Sequence, residues 1–287
     1  MGELRVMTLN VGSLLEPEWD QRRHEVVAWI DQKQPDIVCL QEIHESDTTE
    51  NTGAWIAEHA GGEWHHVFGG GSFAFPGFTP GVVFGSAILS RQPIDQTDCW
   101  LLPVIDDPDD PIPAAVPWEL LHARTGGVDV FSTHLTPAPT HSNHRRLQVR
   151  TIDEYVRKMR GSLDTIVPGE RRGAIPAILC GDFNAEPDSD EIRYLCGLTS
   201  IDDTRTFWQD AWRVAGNGPG LTQNWRTHPL AAGLNVHRKR IDYIFVGDPF
   251  MRAGDRGRVL DVEVICDQPL TGVMASDHSG LVATIAT

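Results

Sequence analysis

The chain has 287 residues, 40% of them hydrophobic, which is enough for one large domain with a substantial core. Its formal charge of −16 excludes the broad cationic surface that drives non-specific, high-affinity DNA binding, though not a nuclease with a metal-neutralised site. No run approaches the roughly 18 uninterrupted apolar residues of a membrane span.

Leu4 to Leu9 reads as a buried strand closed by Asn10 and Gly12. Val26, Val27 and Ile30 recur at helical spacing between Glu18 and Lys33, and Gln34-Pro35 stops that helix. Ile37 to Leu40 is a second buried strand, with Gln41 and Glu42 at its C-terminal end. Thr52 to Ala60 predicts another helix. Glycines at 69, 70, 71, 77, 81 and 85 predict a loop-rich stretch that ends in a strand at Ala87 to Ser90. Prolines and the cluster Asp106-Asp107-Pro108-Asp109-Asp110 make Leu102 to Pro117 a long loop, a candidate substrate-side wall. Leu120 to Ala123 and Val128 to Ser132 predict a hairpin about Gly126-Gly127. A helix follows from Ser142 to Met159, then a strand from Ala177 to Cys180 ending at Gly181. Helix Ser189 to Cys196 is capped by Asp188 or Ser189. Strands at Ile241–Val246, Val259–Ile265 and Leu281–Ile285 complete one α/β domain spanning 1–287, in which strands outnumber helices.

The N-terminal residues lack the basic-then-apolar plan of a secretory signal, and Val6 stands where a myristoylation signal carries Ser or Thr. Five cysteines without paired spacing read as reduced thiols, and Cys39, Cys180 and Cys266 fall in or beside apolar runs. A soluble, cytoplasmic protein is expected; the oligomeric state is left open.

Asn10, Glu42, His134, Asp182, Asn184, Asp242, Asp277 and His278 share one placement, at or just past the end of an apolar strand. Each alone has an ordinary explanation: a turn residue, a surface charge, an Asx-turn former or a satisfied core histidine. Together they mark a site, because ligands of layered α/β proteins bind outside strand ends. The residue types suit phosphoester hydrolysis. A hard cation, Mg²⁺ or Mn²⁺, takes oxygen ligands and few carboxylates. Glu42 is its natural anchor, with Asn10 or Asp277 close by. Asp182 suits activation of water, and Asn184 suits holding that water or a phosphate oxygen. The two histidines suit charge stabilisation at phosphorus, with Asp242 or Asp277 fixing a tautomer.

In order along the chain, Thr8-Leu9-Asn10, Gln41-Glu42, Gly85 to Arg91, Thr133-His134-Leu135, Gly181-Asp182-Phe183-Asn184, Arg240 to Phe245 and Ser276-Asp277-His278 resemble the motifs of the endonuclease/exonuclease/phosphatase superfamily. The resemblance implies a four-layer αββα sandwich, two packed mixed β-sheets flanked by helices, with the site at one edge. It also implies Glu42 as principal metal ligand, Asn10 as its neighbour and Asp277 as a further ligand. Asp182 then activates or orients the attacking water and Asn184 positions it. His134 stabilises a phosphate oxygen, and His278 acts on the phosphate or nucleophile, held by Asp242. Whether His278 or Asp182 is the base stays open.

The substrate is less legible than the reaction. The basic helix that carries Arg145, Arg146 and Arg150, with Trp100, Trp118 and Trp225 as stacking platforms, places DNA or RNA slightly ahead. A small or lipid phosphoester is the alternative. A membrane-facing hairpin of Phe73, Phe75 and Phe78 suits a sphingomyelinase-like enzyme. The Arg238-Lys239-Arg240 cluster suits an inositol-phosphatase-like one. A non-catalytic binding domain is disfavoured, since every expected polar position is filled.

Overall fold

The computed structural model describes residues 2–75, 80–160, 175–226, 230, 238–247 and 255–287, and these form two six-stranded mixed sheets flanked by helices. The first sheet has the order β11 (Val259–Ile265), β12 (Gly280–Ala286), β1 (Glu3–Asn10), β2 (Ile37–Glu45), β4 (Val83–Ser90) and β3 (His65–Ser72). The second runs β5 (Ile94–Leu101), β6 (Glu119–Thr125), β7 (Val128–His134), β8 (Ile178–Asp182), β10 (Asp242–Gly247) and β9 (Trp208–Asp210). Among the described residues, the β1–β2 and β7–β8 pairs are parallel and the other strand pairs antiparallel.

Side chains two apart along a strand face the same way, and that period sorts the apolar residues into layers. Val6, Cys39, Ile88, Val130, Cys180, Ile244 and Leu281 form the core between the sheets. Their neighbours Met7, Leu9, Val38 and Leu40 face outward, against Val26 and Ile30 of α1 (Trp19–Lys33) and Trp55 and Ile56 of α2 (Thr52–His59). On the far side Phe131, Leu179, Tyr243 and Phe245 pack against Val149, Ile152 and Val156 of α4 (Ser142–Arg160) and Ile192 of α5 (Asp190–Leu195). Strands buried on both faces need continuous apolar runs, which is why the sequence displays them so clearly.

The predicted elements are corrected in four places. Glycines 69, 70 and 71 are strand, not loop: they belong to β3, which pairs with β4. A Cβ on Gly70 would lie 2.3 Å from Phe84 O, and one on Gly85 would lie 2.0 Å from Gly69 O, so this pairing requires glycine. Gly77 and Phe78 lie outside the described residues. The strand β2 runs past Glu42 to Glu45, and Glu42 sits in a bulge rather than at a strand end. The polar edge strand β5 and the small β9 with α6 (Ala211–Ala215) carry no apolar run to betray them. Finally, the 102–117 stretch contains a short helix, α3 (Ile112–Ala115).

Candidate active site

The inward face that forms the core between the sheets turns polar as the strands approach one edge. Along β1 it reads Val6, Thr8, Asn10; along β7, Val130, Ser132, His134; along β8, Ile178, Cys180, Asp182; and back along β10, Val246, Ile244, Asp242. The middle step is already a hydrogen-bonded layer, in which Gln41 Nε2 donates to Ser132 Oγ at 3.0 Å and Thr8 Oγ1 donates to Gln41 Oε1 at 3.4 Å. The parallel β7–β8 register sets His134 opposite Asp182, and the antiparallel β8–β10 register sets Asp182 opposite Asp242. Gly181 permits the β7–β8 approach at φ +147, where a Cβ would lie 1.9 Å from Thr133 O.

Glu42 reaches the same edge by a different device. Val38 and Leu40 face the outer core, and so does Ile43, three residues on. The bulge between Leu40 and Ile43 absorbs the extra residue, with Glu42 at φ 59. Asn10 Nδ2 then bridges the two sheets, donating to Glu42 Oε1 at 3.0 Å and to Asp182 Oδ2 at 3.1 Å.

The remaining groups close around Asp182. Asn184 N donates to Asp182 Oδ1 at 2.8 Å, and Asn184 Nδ2 lies 2.9 Å from Leu135 O and 3.1 Å from His134 Nε2. With the Asn184 amide so oriented, His134 Nε2 accepts and its proton resides on Nδ1. Burial lowers the His134 pKa, which keeps this ring neutral. Ser276-Asp277-His278 enters from the loop before β12, where Ser276 Oγ accepts from His278 N at 3.1 Å. His278 Nδ1 contacts Asp242 Oδ2 at 2.9 Å, and its Nε2 lies 3.7 Å from Asp182 Oδ2. Burial opposes charge on His278, but Asp242, Asp277 and Asp182 outweigh it and raise the pKa well above 6.5.

The donor set includes oxygens that suit a hard cation. Burial and the neighbouring Asp277 push the Glu42 pKa up to about 8, although Asn10 donates to it. Burial and Asp277 likewise raise Glu16 to about 7. Crowded, dehydrated acids of this kind suit a divalent cation, and Glu42 and Asp277 supply the oxygens that such an ion prefers, whereas Asn10 turns its Nδ2 to Glu42 and its Oδ1 to Gly12 N. Asp182, Asp242 and His278 also bring ligand atoms within 4.8 Å of one another. In that trio, however, Asp242 Oδ2 is already engaged with His278 Nδ1, which makes them a hydrogen-bonded dyad.

Eight of the eleven sequence-derived candidates thus converge, and the three arginines do not. Arg145 is buried, with Nε on Glu191 Oε1 at 2.9 Å and Nη1 on the carbonyls of Thr136 and Ala138. Arg240 forms a two-bond pair with Asp210 at 3.0 and 2.8 Å and lies over the Tyr243 ring. Arg146 sits half-buried on α4 and forms no ion pair among the described residues. Arg150 pairs with Asp202 and Glu154. Of the three tryptophans, Trp118 is buried and meets His134 edge to face with ring centroids 5.1 Å apart, Trp100 stacks on Tyr155, and Trp225 is exposed.

Sequence reasoning missed Glu16, Gln223 and Arg22. Gln223 places an amide 3.4 Å from His278 Nε2. The buried Arg22 donates to the carbonyls of Val11, Gly12 and Ala275, tying the Asn10 turn to the Ser276-Asp277-His278 loop. None of these lies at the end of an apolar run, so the pattern that exposed the others is silent on them.

An αββα sandwich with carboxylates, asparagines and histidines gathered at one edge is the arrangement found in a class of phosphoester hydrolases. The chain belongs to the endonuclease/exonuclease/phosphatase family, whose sequence model matches residues 7–278. No curated protein sequence gives a significant match. Among solved structures, the chain is similar to TDP2 of D. rerio complexed with a single-strand DNA product, at 18% identity, TM-score 0.70 and full coverage of both chains. It is also similar to an endonuclease/exonuclease/phosphatase from Beutenbergia cavernae, at 22% identity and TM-score 0.69, covering 99% of this chain and 71% of that one. A Bacteroides vulgatus protein of the same description has 18% identity and TM-score 0.66, with 99% of each chain covered. These likenesses carry the fold. No helix among the described residues is long and apolar enough to cross a membrane.

Proposed function

We propose that this chain, acting as one catalytic unit, is a divalent-metal-dependent phosphodiesterase that hydrolyses its substrate by in-line attack of water. The observation that carries this reading is the unbroken hydrogen-bonded path Glu42–Asn10–Asp182–Asn184–His134, which faces the His278–Asp242 dyad across Asp182. Glu42 and Asp277, with Asn10 holding the Glu42 carboxylate in place, would bind Mg²⁺ or Mn²⁺, which when bound polarises the phosphoryl oxygens and offsets the charge on the acids. Asp182 orients the attacking water and accepts its proton, and Asn184 limits where that water sits. Neutral His134 accepts from Asn184 through Nε2 and so fixes the amide beside the attacking water. Protonated His278, fixed by Asp242, stabilises the charge that grows on phosphorus-bound oxygen. Arg145 and Arg240 hold the surrounding loops.

Nucleic acid remains a reading of the substrate, favoured by the DNA product bound to the D. rerio TDP2. Of the arginines enlisted for it from sequence, Arg145, Arg150 and Arg240 are paired with acids elsewhere, which withdraws their support, while Arg146 forms no ion pair among the described residues.

The test is hydrolysis of bis(p-nitrophenyl) phosphate by the purified chain. Turnover is expected with Mn²⁺ or Mg²⁺ and none in excess EDTA, with activity restored by re-added metal. Equal rates in EDTA would overturn the metal assignment. Calorimetric titration with Mn²⁺ gives a readout independent of turnover: Glu42→Ala should weaken binding by tenfold or more. In the unaltered chain affinity should rise with pH up to about 8, because the ion must displace the Glu42 proton.

A further inference from the structure

The polar groups of the site form only one wall of their cavity. The cavity has a volume of about 410 Å³, and Glu42, His134, Asp182, Asn184, Asp277 and His278 line one side of it. Apart from Glu16 and Gln223, the rest of the lining is apolar, chiefly Phe73, Phe75, Phe84, Ile112, Val116 and Trp118. No lysine or arginine is among the described residues that line it.

This second wall is built rather than incidental. The phenylalanines expected to form an outward, membrane-facing hairpin turn inward at Phe73, which is 4% exposed and packs at 4.8 Å from Phe84 and 5.9 Å from Phe75. Trp118 Nε1 is committed to Pro113 O at 2.8 Å, so this indole offers the cavity no free donor. Backbone bonds hold the wall in place: Phe73 N to Val82 O at 2.9 Å, Ala74 N to Ala115 O at 3.0 Å and Leu102 N to Trp118 O at 2.8 Å. The 102–117 stretch is further pinned by His141 on Asp110 at 2.6 Å and by Ile105 N donating to His144 Nδ1 at 3.2 Å.

A wall of this kind discriminates by what it lacks. A substrate with further phosphates beside the scissile one would meet apolar surface and no counter-charge, and dehydrating those phosphates would oppose binding. An uncharged apolar group would displace water from the phenylalanines and gain from burial.

On the reading of the site as a phosphodiesterase, we propose that the ester group beside the scissile phosphate is uncharged and apolar. It packs on Phe73, Phe84, Ile112 and Trp118 while the phosphate meets the polar wall. Aryl groups and alkyl chains share that chemistry, and the experiment separates them.

The full chain with Mn²⁺ is given diphenyl phosphate, methyl octyl phosphate, dimethyl phosphate and the dinucleotide thymidylyl-thymidine, and hydrolysis is followed by phosphorus NMR. The phenyl or octyl ester should be hydrolysed at least about tenfold faster than the dimethyl ester, and the dinucleotide should be slowest. The lower KM of the first two identifies an aryl or an alkyl occupant, since phenoxide leaves more readily than an alkoxide whatever the wall contributes. Equal rates for all four, or preference for the dinucleotide, overturns the proposal. Ile112→Lys alters a partly exposed wall residue and so tests the wall with little risk to folding. It should erase most of the apolar preference, and an unchanged preference counts against the wall. If no diester is hydrolysed, the phosphodiesterase reading fails by itself. Calorimetric binding of diphenyl against dimethyl phosphate then decides the wall: tighter binding of diphenyl phosphate supports it, and equal binding overturns it.

Discussion

His278 and Asp242 form the most sharply defined pair in the site, because both are buried and their contact spans the loop before β12 and the start of β10. The carboxylate fixes which imidazole nitrogen faces Asp182 and helps to keep the ring protonated. Asp242→Asn retains the shape but removes the charge. It should lower kcat by about 10²- to 10⁴-fold, with KM little changed and the circular dichroism spectrum intact. Proton NMR should report a lower His278 pKa in the variant. An unshifted pKa would remove Asp242 from this positioning role. Both residues were legible in the sequence because each borders an apolar run, and so were Asn10, His134, Asp182 and Asn184. Arg145 and Arg240 misled for the converse reason. A charged side chain in sequence says nothing of the acid that awaits it, here Glu191 and Asp210.

At the scale of elements, the site is a matter of strand phase. The two-residue period that buries Val6, Val130, Cys180 and Ile244 between the sheets brings Asn10, His134, Asp182 and Asp242 to the same face at the sheet edge. Strands with two buried faces announced themselves by composition. By contrast β3 and β5 did not, since one is rich in glycine and the other alternates exposed polar residues at the sheet margin. The bulge at Glu42 was equally hidden, because an added residue in a strand leaves no mark in an apolar run. Gly181 offers the direct test of phase. A methyl group there would overlap Thr133 O and must push β8 from β7, separating Asp182 from His134. Gly181→Ala should destabilise the fold by roughly 2–4 kcal/mol, measured by urea denaturation. It should also depress activity below what the remaining folded fraction explains. A variant as active and as stable as its parent would show that the strands can accommodate the methyl group.

The whole molecule carries its catalytic edge on an interior that is itself partly polar, and one member of that interior has no part in the chemistry. Glu119 is buried between the sheets and accepts from Ser86 Oγ at 2.7 Å, with no cationic side chain among its described contacts. Burial pushes its pKa up to about 8 from 4.5. The folded chain therefore holds a proton that the unfolded chain has released. Below about pH 4.5 both states are protonated and Glu119 leaves stability unaffected. Between pH 4.5 and about 8 the unfolded state alone ionises, so this residue lowers stability by up to about 1.4 kcal/mol per pH unit. Above pH 8 the penalty is constant. Glu119→Gln keeps an oxygen for Ser86 and removes the titration. Its stability relative to the parent should therefore climb through that window and then level off, in urea denaturation at a series of pH values without added metal. A stability difference independent of pH would mean that Glu119 is ionised in the folded chain, and the space between the sheets would then have to supply the charge that balances it.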